Sequence, residues 1–379
     1  MSINLHLYPA NIVSESRFFR TVTSLSENFK DLEIHVCGIW KEGLAEKEIT
    51  SNGIVINRFK ILKRGIKGTQ SFYFYQDFKK SVLEKYTSEK INIIHSHSLF
   101  DLSIGAELKK KNPGIKLIYD AHELETEKNR IKGFQKYLRK IKEKKFIKKA
   151  DEILVVNDSI AQWYINKYNV SNVTVIKNVV NISKSNKLQE PDYLRNRFKI
   201  KSEEIIFIYI GSLQKGRGIE LLLDVFSSSC HQLVIMGFGE LENRVIKKTE
   251  SAKNIHFHPA VSREDLIPIT STADVGLVLI ENTCLSYYLC LPNKLYEYLY
   301  AGIPIISSNF PEMSSLINKY NAGWTTSVDS KSVSELIKNL SPEEIKKKKQ
   351  TLRSVEIEKW ETEEKKLIEL YRNNLFRNS

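Results

Sequence analysis

A short turn at residues 211–218 combines three glycines with two cations. Its sequence, Gly-Ser-Leu-Gln-Lys-Gly-Arg-Gly, places Lys215 and Arg217 on a backbone that a ligand can approach closely. The turn follows an apolar strand pattern and precedes a helical pattern, and the exposed N–H groups at a helix start attract phosphate. The sequence therefore predicts phosphate binding by Gly211, Ser212, Lys215 and Arg217. The alternative is an ordinary strand-to-helix turn with exposed cations.

A second segment, residues 292–306, places one carboxylate in a predicted helix. Pro292 favours a helix start, apolar residues recur at helical spacing, and Gly302 followed by Pro304 marks the helix end. Glu297 lies about one turn into this helix. There it can accept hydrogen bonds from the sugar hydroxyls of a ligand whose phosphates lie at the helix start. The alternative is an ordinary helix-to-strand unit with a surface glutamate.

Histidines follow two predicted strands of the first half of the chain. His122 comes directly after one strand, with Asp120 and Glu123 beside it. A histidine at this edge of a sheet can bond sugar hydroxyls or stabilise developing charge. His97 ends another strand, and alternation is expected to turn it toward the ligand while His95 points into the sheet. A loop histidine bonded to the backbone is the alternative for His122.

The sequence predicts no metal site and no cofactor. The predicted strands carry no Asp-x-Asp pair, and neither a carboxylate nor a cysteine stands at ligand spacing from His95 and His97. The four cysteines show no Cys-x-x-Cys spacing and are expected to be reduced thiols. The cations of the glycine-rich turn can stabilise a leaving phosphate in place of a metal.

Strand and helix patterns alternate along both halves of the chain, as in doubly wound α/β sheets. In the first half, strands are expected at residues 3–7, 32–37, 53–59, 91–95, 116–119, 152–156 and 173–176, and helices at 16–29, 76–86, 102–111 and 159–168. In the second half, strands are expected from residue 205 and at residues 232–236, 255–258, 275–279 and 303–306. The polar stretch at residues 181–197 is expected to connect two domains. Because ligands bind outside the carboxyl ends of such strands, the expected active site is the cleft between the domains.

Three segments together carry a family resemblance: residues 206–223, residues 233–241 with their Gly-Phe-Gly turn, and residues 292–306. With them the sequence resembles the retaining nucleotide-sugar glycosyltransferases of family 4, over most of its C-terminal half and more loosely over its N-terminal half. The resemblance implies an α/β GT-B fold of two doubly wound, Rossmann-like domains that face each other across a cleft. The acceptor-binding domain would span residues 1–180 and the donor-binding domain residues 181–357. The last helix, residues 358–379, would pack back on the first domain.

The resemblance also implies roles for single residues. Arg217 aligns with the family's phosphate-binding lysine, and Gly237 aligns with a turn near the nucleoside. The backbone at Val261 is expected to contact the base. Glu297 aligns with the second glutamate of the family's E-x7-E motif, which binds ribose hydroxyls. His122 aligns with a histidine near the donor sugar, so catalytic roles are expected for His122 and Glu297.

The chain departs from the family pattern inside the donor site. Ser212 stands where an arginine usually follows the first glycine, and Lys215 or Lys294 is a candidate replacement for that charge. Leu289 occupies the position of the first glutamate of the motif. The candidates for contact with the donor sugar are then Glu281, Asn293 and Lys294. These departures place the chain in a branch with a Pro-Asn-Lys signature before the helix.

The loop after the first strand departs as well, since it lacks the paired glycines that the family often has. Ser14, Ser16 and Arg17 are candidates there for contact with the acceptor or with phosphate. Further candidates on the acceptor side are His97, Asp120 and Glu123.

The resemblance implies a metal-independent hexosyltransferase or N-acetylhexosaminyltransferase that retains the anomeric configuration. The substrates would be a nucleotide-sugar, with a UDP-sugar as the leading expectation, and a glycan or lipid-linked glycan of a bacterial capsule or O-antigen. One alternative is a nucleotide-sugar 2-epimerase on the same architecture, and another is a non-catalytic basic binding protein. A Rossmann dehydrogenase is disfavoured because no G-x-G-x-x-G follows the first strand.

The formal net charge of +13 comes in large part from residues 132–149, where lysines and arginine alternate with apolar residues at helical spacing. Such a helix either lies on an anionic membrane or docks on its own domain. No nucleic-acid motif accompanies the charge, and no apolar run has the length of a membrane span. Residues 1–9 predict a strand rather than a signal peptide. The expected localisation is cytoplasmic, with peripheral contact at the inner face of the membrane as an option.

Overall fold

The computed structural model describes residues 2–12, 16–61, 70–129, 131–180 and 192–376. The chain divides into two compact units, unit 1 (Met1–Asn178 with Trp360–Ser379) and unit 2 (Val179–Lys359). The sequence places the corresponding boundaries at 180/181 and 357/358, two residues from those of the structure. Most of the predicted connection at residues 181–197 lies outside the described residues.

Unit 1 is an α/β unit built on one sheet. Its described strands are β1 (Ser2–Leu7), β2 (Leu32–Ile39), β3 (Lys47–Ile49), β4 (Val55–Phe59), β5 (Ile91–Ser96), β6 (Lys116–Ala121), β7 (Glu152–Val155) and β8 (Val173–Val175). Its described helices are α1 (Ser16–Asn28), α2 (Gln70–Tyr86), α3 (Leu99–Lys111), α4 (Gly133–Ile147), α5 (Asp158–Tyr168) and, from the end of the chain, α15 (Trp360–Phe376). The strand order among these residues is β3-β4-β2-β1-β5-β6-β7-β8, and only the β3–β4 pair is antiparallel.

The last helix, α15, belongs to the core of unit 1. Trp360, Leu367 and Tyr371 are buried beside residues of α1 and the central strands. The indole N–H of Trp360 donates a hydrogen bond to the hydroxyl oxygen of Ser24, at 3.0 Å. Burial of these large side chains stabilises the docking of α15 by about 2 kcal/mol for each one. The chain therefore ends in the unit where it begins.

Unit 2 is a second α/β unit with a fully parallel sheet. Its strands are β9 (Ile206–Ser212), β10 (Gln232–Phe238), β11 (Ile255–Pro259), β12 (Val275–Val278), β13 (Ile305–Ser308) and β14 (Gly323–Thr326), in the order β11-β10-β9-β12-β13-β14 among the described residues. Its described helices are α6 (Tyr193–Phe198), α7 (Ile219–Ser227), α8 (Glu242–Ser251), α9 (Arg263–Thr270), α10 (Leu285–Tyr288), α11 (Asn293–Tyr300), α12 (Pro311–Tyr320), α13 (Ser330–Asn339) and α14 (Pro342–Ser354). Apolar clusters cover both faces of the sheet. Continuous apolar strands such as β9 are typical of a sheet buried on both sides.

Two short strands escaped the sequence prediction, and one strand is shifted. β3 is a fully exposed edge strand, and β14 is a half-buried edge strand, so neither has the apolar run that marks a buried strand. The strand predicted at residues 303–306 lies instead at Ile305–Ser308. The serines at its end are buried by their neighbours, which a hydropathy pattern does not indicate. The fold class itself is confirmed, with two parallel-sheet, Rossmann-like units.

None of the described helices combines the length and the apolar character that spanning a bilayer requires.

Candidate functional site

In unit 2, the turns after β9 and β10 meet at the carboxyl edge of the sheet. A Cβ atom on Gly237 would lie 1.9 Å from the carbonyl oxygen of Gly211. Gly218 adopts a φ of +77°, and a Cβ there would lie 2.1 Å from the carbonyl oxygen of Leu279. Only glycine allows both this φ and this approach. Glycines of the two predicted ligand-binding turns therefore bring three backbone segments together.

The turn between β9 and α7 presents Arg217 beside an aromatic ring. The guanidinium carbon of Arg217 lies 4.5 Å from the ring centroid of Tyr287 in α10. Lys215 is exposed, and its backbone N–H donates to a carboxylate oxygen of Glu240 at 3.1 Å. Ser212 is partly exposed, and its carbonyl oxygen accepts a hydrogen bond from the hydroxyl of Tyr209. Two candidate cations of the turn thus lie in different environments, one over a ring and one in solvent.

Helix α11 is held against the sheet by one buried tyrosine. The hydroxyl of Tyr298 donates to the carbonyl oxygen of Ile208 at 2.9 Å and accepts from the N–H of Ile210. A Cβ on Gly276 would lie 2.5 Å from this ring, so glycine at that position lets the helix approach the sheet. The helix begins at Asn293 after Pro292, as the sequence predicted. Its start is thereby placed beside the carboxyl end of β9.

Helix α11 carries two candidate donor-binding side chains, Lys294 and Glu297, and both are half-buried. Burial lowers the pKa of Lys294 to about 7, with the positive charge of Arg217 adding to the shift and Glu297 opposing it. The Lys294 amine lies over the ring of Tyr209, 3.8 Å from its centroid. Two cations and one carboxylate therefore face the same end of β9.

The other predicted donor residues lie around this edge. Val261 follows β11 and packs, half-buried, on the apolar cluster. Leu289, at the position of the missing glutamate, ends α10. The backbone N–H of Glu281 donates to the carbonyl oxygen of Gly216 in the glycine-rich turn, so Glu281 also borders the turn.

In unit 1, Asp120 is a buried carboxylate at the end of β6. It forms a salt bridge with Arg17 of α1, in which Asp120 Oδ1 lies 2.9 Å from the guanidinium and both residues are at most 5% exposed. Burial alone would raise the pKa of Asp120, but the Arg17 guanidinium and then His122 hold that pKa well below its usual range. Arg17 also donates to the carbonyl oxygen of Ile176 at 2.8 Å. Its predicted contact with acceptor or phosphate is therefore corrected, since its donors bind the protein itself.

Three histidines stack in the core beside Asp120. The rings of His95 and His97 lie 4.3 Å apart and nearly parallel, and His6 stacks on both. His6 Nδ1 lies 3.0 Å from His97 Nε2, and His95 Nδ1 lies 2.7 Å from the hydroxyl of Tyr371. Burial lowers the pKa of all three histidines, and their mutual proximity adds to this for His6 and His97.

This stack overturns two sequence predictions about His97. It is 2% exposed, so it does not face a ligand, and its ring lies on the same side as that of His95. The reason is that β5 ends at Ser96, and strand alternation does not extend past the end of the strand. His6, from the neighbouring strand, escaped the sequence analysis because nothing in its local pattern separates it from a core residue.

No carboxylate stands at ligand spacing from these histidines in the sequence, but the fold brings Asp120 close to them. Asp120 Oδ2 lies 3.5 Å from His95 Nε2, 3.7 Å from His97 Nδ1 and 3.3 Å from His122 Nε2. The sets His6, His95, His97 and His97, Asp120, His122 each bring three ligand-type atoms within 4.8 Å of one another. Because the ends of three strands, β1, β5 and β6, converge, sequence spacing could not reveal this proximity. The Arg17 guanidinium on the same carboxylate disfavours a further cation there.

His122 and Glu123 lie at the accessible side of this cluster. The side chain of His122 is 27% exposed and extends beyond the buried Asp120. Glu123 is 44% exposed and forms an ion pair with Lys128 at 3.0 Å. Within the described residues, His122 and Glu123 are therefore accessible to a ligand. The other predicted residues of this side, Arg17, His97 and Asp120, are buried. Ser14 lies outside the described residues, as does the side chain of Ser16.

Two tyrosines of unit 2 were missed by the sequence analysis. Tyr209 sits within the apolar run of β9, and Tyr287 lies in the segment before the Pro-Asn-Lys signature. Neither has a spacing that indicates a role, and only the fold brings their rings under Lys294 and Arg217.

Family models match both halves of the chain. Residues 19–184 match the model described as Glycosyltransferase Family 4, and residues 192–354 match the model described as Glycosyl transferases group 1. No curated protein matches the sequence.

Solved structures share the fold at low sequence identity. The chain is similar to sucrose-phosphate synthase from Thermosynechococcus elongatus, with a TM-score of 0.78, 17% identity and 100% of both chains covered. It is also similar to Anabaena HepE in complex with UDP-glucose, with a TM-score of 0.70, 14% identity and coverage of 98% of this chain and 100% of the other. A third similar structure is WaaG, a glycosyltransferase involved in lipopolysaccharide biosynthesis, with a TM-score of 0.59, 15% identity and coverage of 98% and 95%. The chain is therefore a glycosyltransferase of the GT-B type, with a family 4 domain followed by a group 1 domain.

Proposed function

We propose that this protein is a retaining glycosyltransferase that moves a sugar from a UDP-sugar to a glycan or lipid-linked glycan in bacterial surface polysaccharide synthesis. The observation that carries the proposal is the edge of unit 2, where Arg217 and Lys294 lie over aromatic rings beside Glu297. Two cations around a glycine-rich turn suit a diphosphate, and the carboxylate suits ribose hydroxyls. Both hexosyl and N-acetylhexosaminyl donors fit this arrangement.

Solved relatives support the choice of donor and pathway. Anabaena HepE shares the fold and is known in complex with UDP-glucose. WaaG shares the fold and takes part in lipopolysaccharide biosynthesis. A UDP-sugar donor and a polymer of the cell surface are the proposals for this chain that follow from these two proteins.

For the chemical step, we propose transfer on one face of the donor sugar. The acceptor oxygen bonds to the anomeric carbon as the bond to the UDP oxygen breaks, and a phosphate oxygen of UDP receives the acceptor's proton. Such a reaction needs no covalent nucleophile from the protein. The protein contributes position and charge stabilisation, and Arg217 and Lys294 would stabilise the charge on the leaving diphosphate.

His122 is the proposed catalytic residue of unit 1. Its Nε2 lies 3.3 Å from the buried Asp120 carboxylate, which remains ionised because of Arg17. A carboxylate on that side favours a proton on Nε2 and leaves Nδ1 to accept a hydrogen bond from a sugar hydroxyl. Asp120 would therefore act as a positioning residue for His122, and Glu123 is the proposed contact for the acceptor.

The donor proposal is tested by nucleotide release. Purified protein would be mixed with a panel of UDP-, GDP-, ADP- and CMP-sugars, EDTA and a lipid-linked glycan extract. We expect release of UDP from one UDP-sugar that depends on the extract and is unaffected by EDTA. Release that EDTA abolishes would overturn metal independence, and isomerisation of the donor without release would favour the 2-epimerase. No release, with no donor shifting the melting temperature, would favour the binding protein.

We also propose that α4 brings the protein to the membrane where a lipid-linked acceptor lies. The inner face of this helix is fixed by Glu143, whose carboxylate accepts hydrogen bonds from the hydroxyls of Tyr164 and Tyr168. The outer face exposes an apolar stripe at helical spacing and several cations. The stripe is Phe134 (72% exposed), Tyr137 (61%), Leu138 (48%) and Ile141 (48%). The exposed cations of α4 and its flanks are Lys132, Arg139, Lys144, Lys145, Lys148 and Lys149.

Transfer of this face from water to an anionic lipid surface is expected to be favourable. Each cation near such a surface contributes about 1 kcal/mol, and the apolar stripe adds the burial of its rings and methyl groups. Glu143 is the only acidic residue of the helix, and it is buried on the opposite face. No described acidic side chain of α4 therefore opposes contact with anionic lipid.

Vesicle cosedimentation tests the membrane proposal. The double variant Phe134→Ser/Leu138→Ser is expected to lose binding to vesicles that contain phosphatidylglycerol, with no binding of either protein to phosphatidylcholine alone. Ile49→Ser is the matched control, because Ile49 is 63% exposed in unit 1 but lies away from α4 in sequence, on β3. Equal binding by the wild type and the double variant would overturn the proposal.

A further inference from the structure

The donor site of unit 2 holds Lys294 in an unusual place for a lysine. Its side chain leaves α11 and crosses the end of β9, where a Cβ on Gly211 would lie 3.7 Å from both Cε and Nζ. The amine lies 3.8 Å from the ring centroid of Tyr209. Within the described part of the chain, Lys294 makes no ion pair at salt-bridge distance.

Tyr209 is fixed in the position that receives the lysine. It belongs to β9 and is fully buried, and its hydroxyl donates to the carbonyl oxygen of Ser212 at 2.8 Å. The ring therefore forms a rigid floor under the amine, directly beside the backbone of the glycine-rich turn. A cation over an aromatic face gains about 1 to 2 kcal/mol when partly desolvated.

The charges around Lys294 favour the arrival of an anion. Arg217 approaches from the turn between β9 and α7 and disfavours a second positive charge, while Glu297 on α11 favours it. Cys290, in the segment before α11, and Tyr209, on β9, are the other titratable groups facing the amine. The remaining candidate, Lys215, is exposed to solvent and lies over no described ring, so it lacks this preorganisation.

We propose that Lys294 is the second cation of the diphosphate site, held over Gly211 by the ring of Tyr209 until a ligand's phosphate oxygen replaces the ring as its partner. The inference rests on the proposed function, since it assigns a residue to the donor's diphosphate. Lys294 would then provide the positive charge that an arginine at the position of Ser212 usually provides. Lys215 would not contact the diphosphate.

A protonation change follows from this placement. Without an anion, burial and then Arg217 lower the pKa of Lys294 to about 7, so the amine over the ring is charged in only part of the molecules near neutral pH. A bound diphosphate favours the charged amine, so binding would draw one proton from solvent onto Nζ. The affinity for UDP should accordingly rise as the pH falls from 8.5 toward 7.

The test is calorimetry of UDP and of uridine at pH 8, in two buffers of different ionisation enthalpy. For Lys294→Met we expect UDP to bind at least tenfold more weakly, or about 1.4 kcal/mol, with uridine affinity unchanged. Lys247→Met, at an exposed lysine of α8, is the matched control and should leave UDP affinity within about threefold, or about 0.7 kcal/mol, whereas Lys215→Met tests the competing assignment. A structural defect at the turn would weaken uridine as well, so the two ligands separate a charge effect from a folding effect.

The conservative variant tests the proton directly. Wild-type protein should take up a proton on binding UDP, whereas Lys294→Arg should bind UDP without proton uptake, because a guanidinium is always charged. This arm remains informative even if Lys294→Met fails to fold.

The outcomes separate this inference from the proposed function. If UDP does not bind the wild type, the proposed function and this inference both fail. If UDP binds and Lys294→Met binds it equally well, or Lys215→Met weakens it more, only the role of Lys294 is overturned. Equal proton uptake by wild type and Lys294→Arg would likewise overturn it.

Discussion

The carboxyl edges of the two sheets handle charge in opposite ways. In unit 1, Arg17 and Asp120 are buried together, and the neighbouring histidines are neutral and stacked. In unit 2, Arg217 and Lys294 lie over tyrosine rings, and the Glu297 carboxylate opposes the lowering of the Lys294 pKa. One edge satisfies its charges internally, and the other retains positive charge for a ligand.

The two edges can therefore make different contributions to a reaction. A buried, paired carboxylate can hold an imidazole in one orientation, but it cannot change partners without a large loss of stability. A cation over a ring is held more weakly and can move to a phosphate oxygen. Unit 1 is thus built for positioning, and unit 2 is built for binding an anion.

Acidification should produce the largest difference in stability between the two units, because it destabilises unit 1 more than unit 2. The folded-state pKa of His6, His95 and His97 lies below the ordinary value of 6.5, because burial disfavours the charged ring. Their contribution to stability is therefore complete above pH 6.5 and is lost as the pH falls, by at most about 1.4 kcal/mol per histidine and pH unit. At pH 5.5 we expect unit 1 to be less stable than at pH 7.

Hydrogen exchange resolved by segment measures this loss. Protection in β1 and β5 should fall between pH 7 and pH 5.5, after correction for the intrinsic exchange rate. Protection in β9 should fall less, because only His258 is buried among the described histidines of unit 2, whereas His231 and His256 are half-buried. Equal loss in both units would contradict the comparison.

Breaking the buried pair of unit 1 should have the next largest effect. Asp120→Asn leaves the Arg17 guanidinium buried without an anion, and such a change costs about 3 kcal/mol of unfolding free energy. Glu123→Gln is the control, because its ion pair with Lys128 is partly exposed and should contribute under about 1 kcal/mol. Urea denaturation of the two variants gives both values, and similar losses would show that burial of Asp120 is not decisive.

In unit 2, a change at Gly218 should damage the turn that carries Arg217. Gly218→Ala adds a Cβ 2.1 Å from the carbonyl oxygen of Leu279 at a φ of +77°. We expect a loss of about 2 to 3 kcal/mol and weakened UDP binding. Gly302→Ala is matched in φ, at +68°, but nothing lies within 4 Å of its added Cβ, so it should cost about 1 kcal/mol and spare UDP binding. Thermal unfolding and calorimetry compare the pair.

The smallest predicted effect concerns the carboxylate of α11. Glu297→Ala should weaken UDP binding at least tenfold, or about 1.4 kcal/mol, with little change in stability because the side chain is only half-buried. Loss of the ribose contact should appear equally with uridine, whereas loss of Arg217 in Arg217→Ala should affect UDP alone. A Glu297 variant that keeps uridine affinity would place the ribose elsewhere.

Much of the fold was predictable from the sequence because its signals are local. The apolar runs of β1, β9 and β10, the helix start at Asn293 and the glycine at 302 depend on neighbours in the chain. Edge strands β3 and β14 were not predictable, since they lack an apolar face, and their pairing depends on strands distant in sequence.

The candidate site divides in the same way. The glycine-rich turn, Arg217, Glu297 and His122 were found because each stands in a short segment with a recognisable order. The burial of Arg17 and His97 was not found, and neither were the partners of Lys294 and Asp120, since these partners come from other strands and helices.

The alternation of strands and helices, the glycines that let backbones approach, and the set of available cations and carboxylates all follow from short segments of the chain. The tertiary structure alone decided which charges are buried in pairs and which rest on rings. The physical reason is range: backbone preferences and hydropathy act between neighbours in the chain. The protonation and partners of Asp120, His97 and Lys294 depend on desolvation and on charges that only packing brings within a few ångströms.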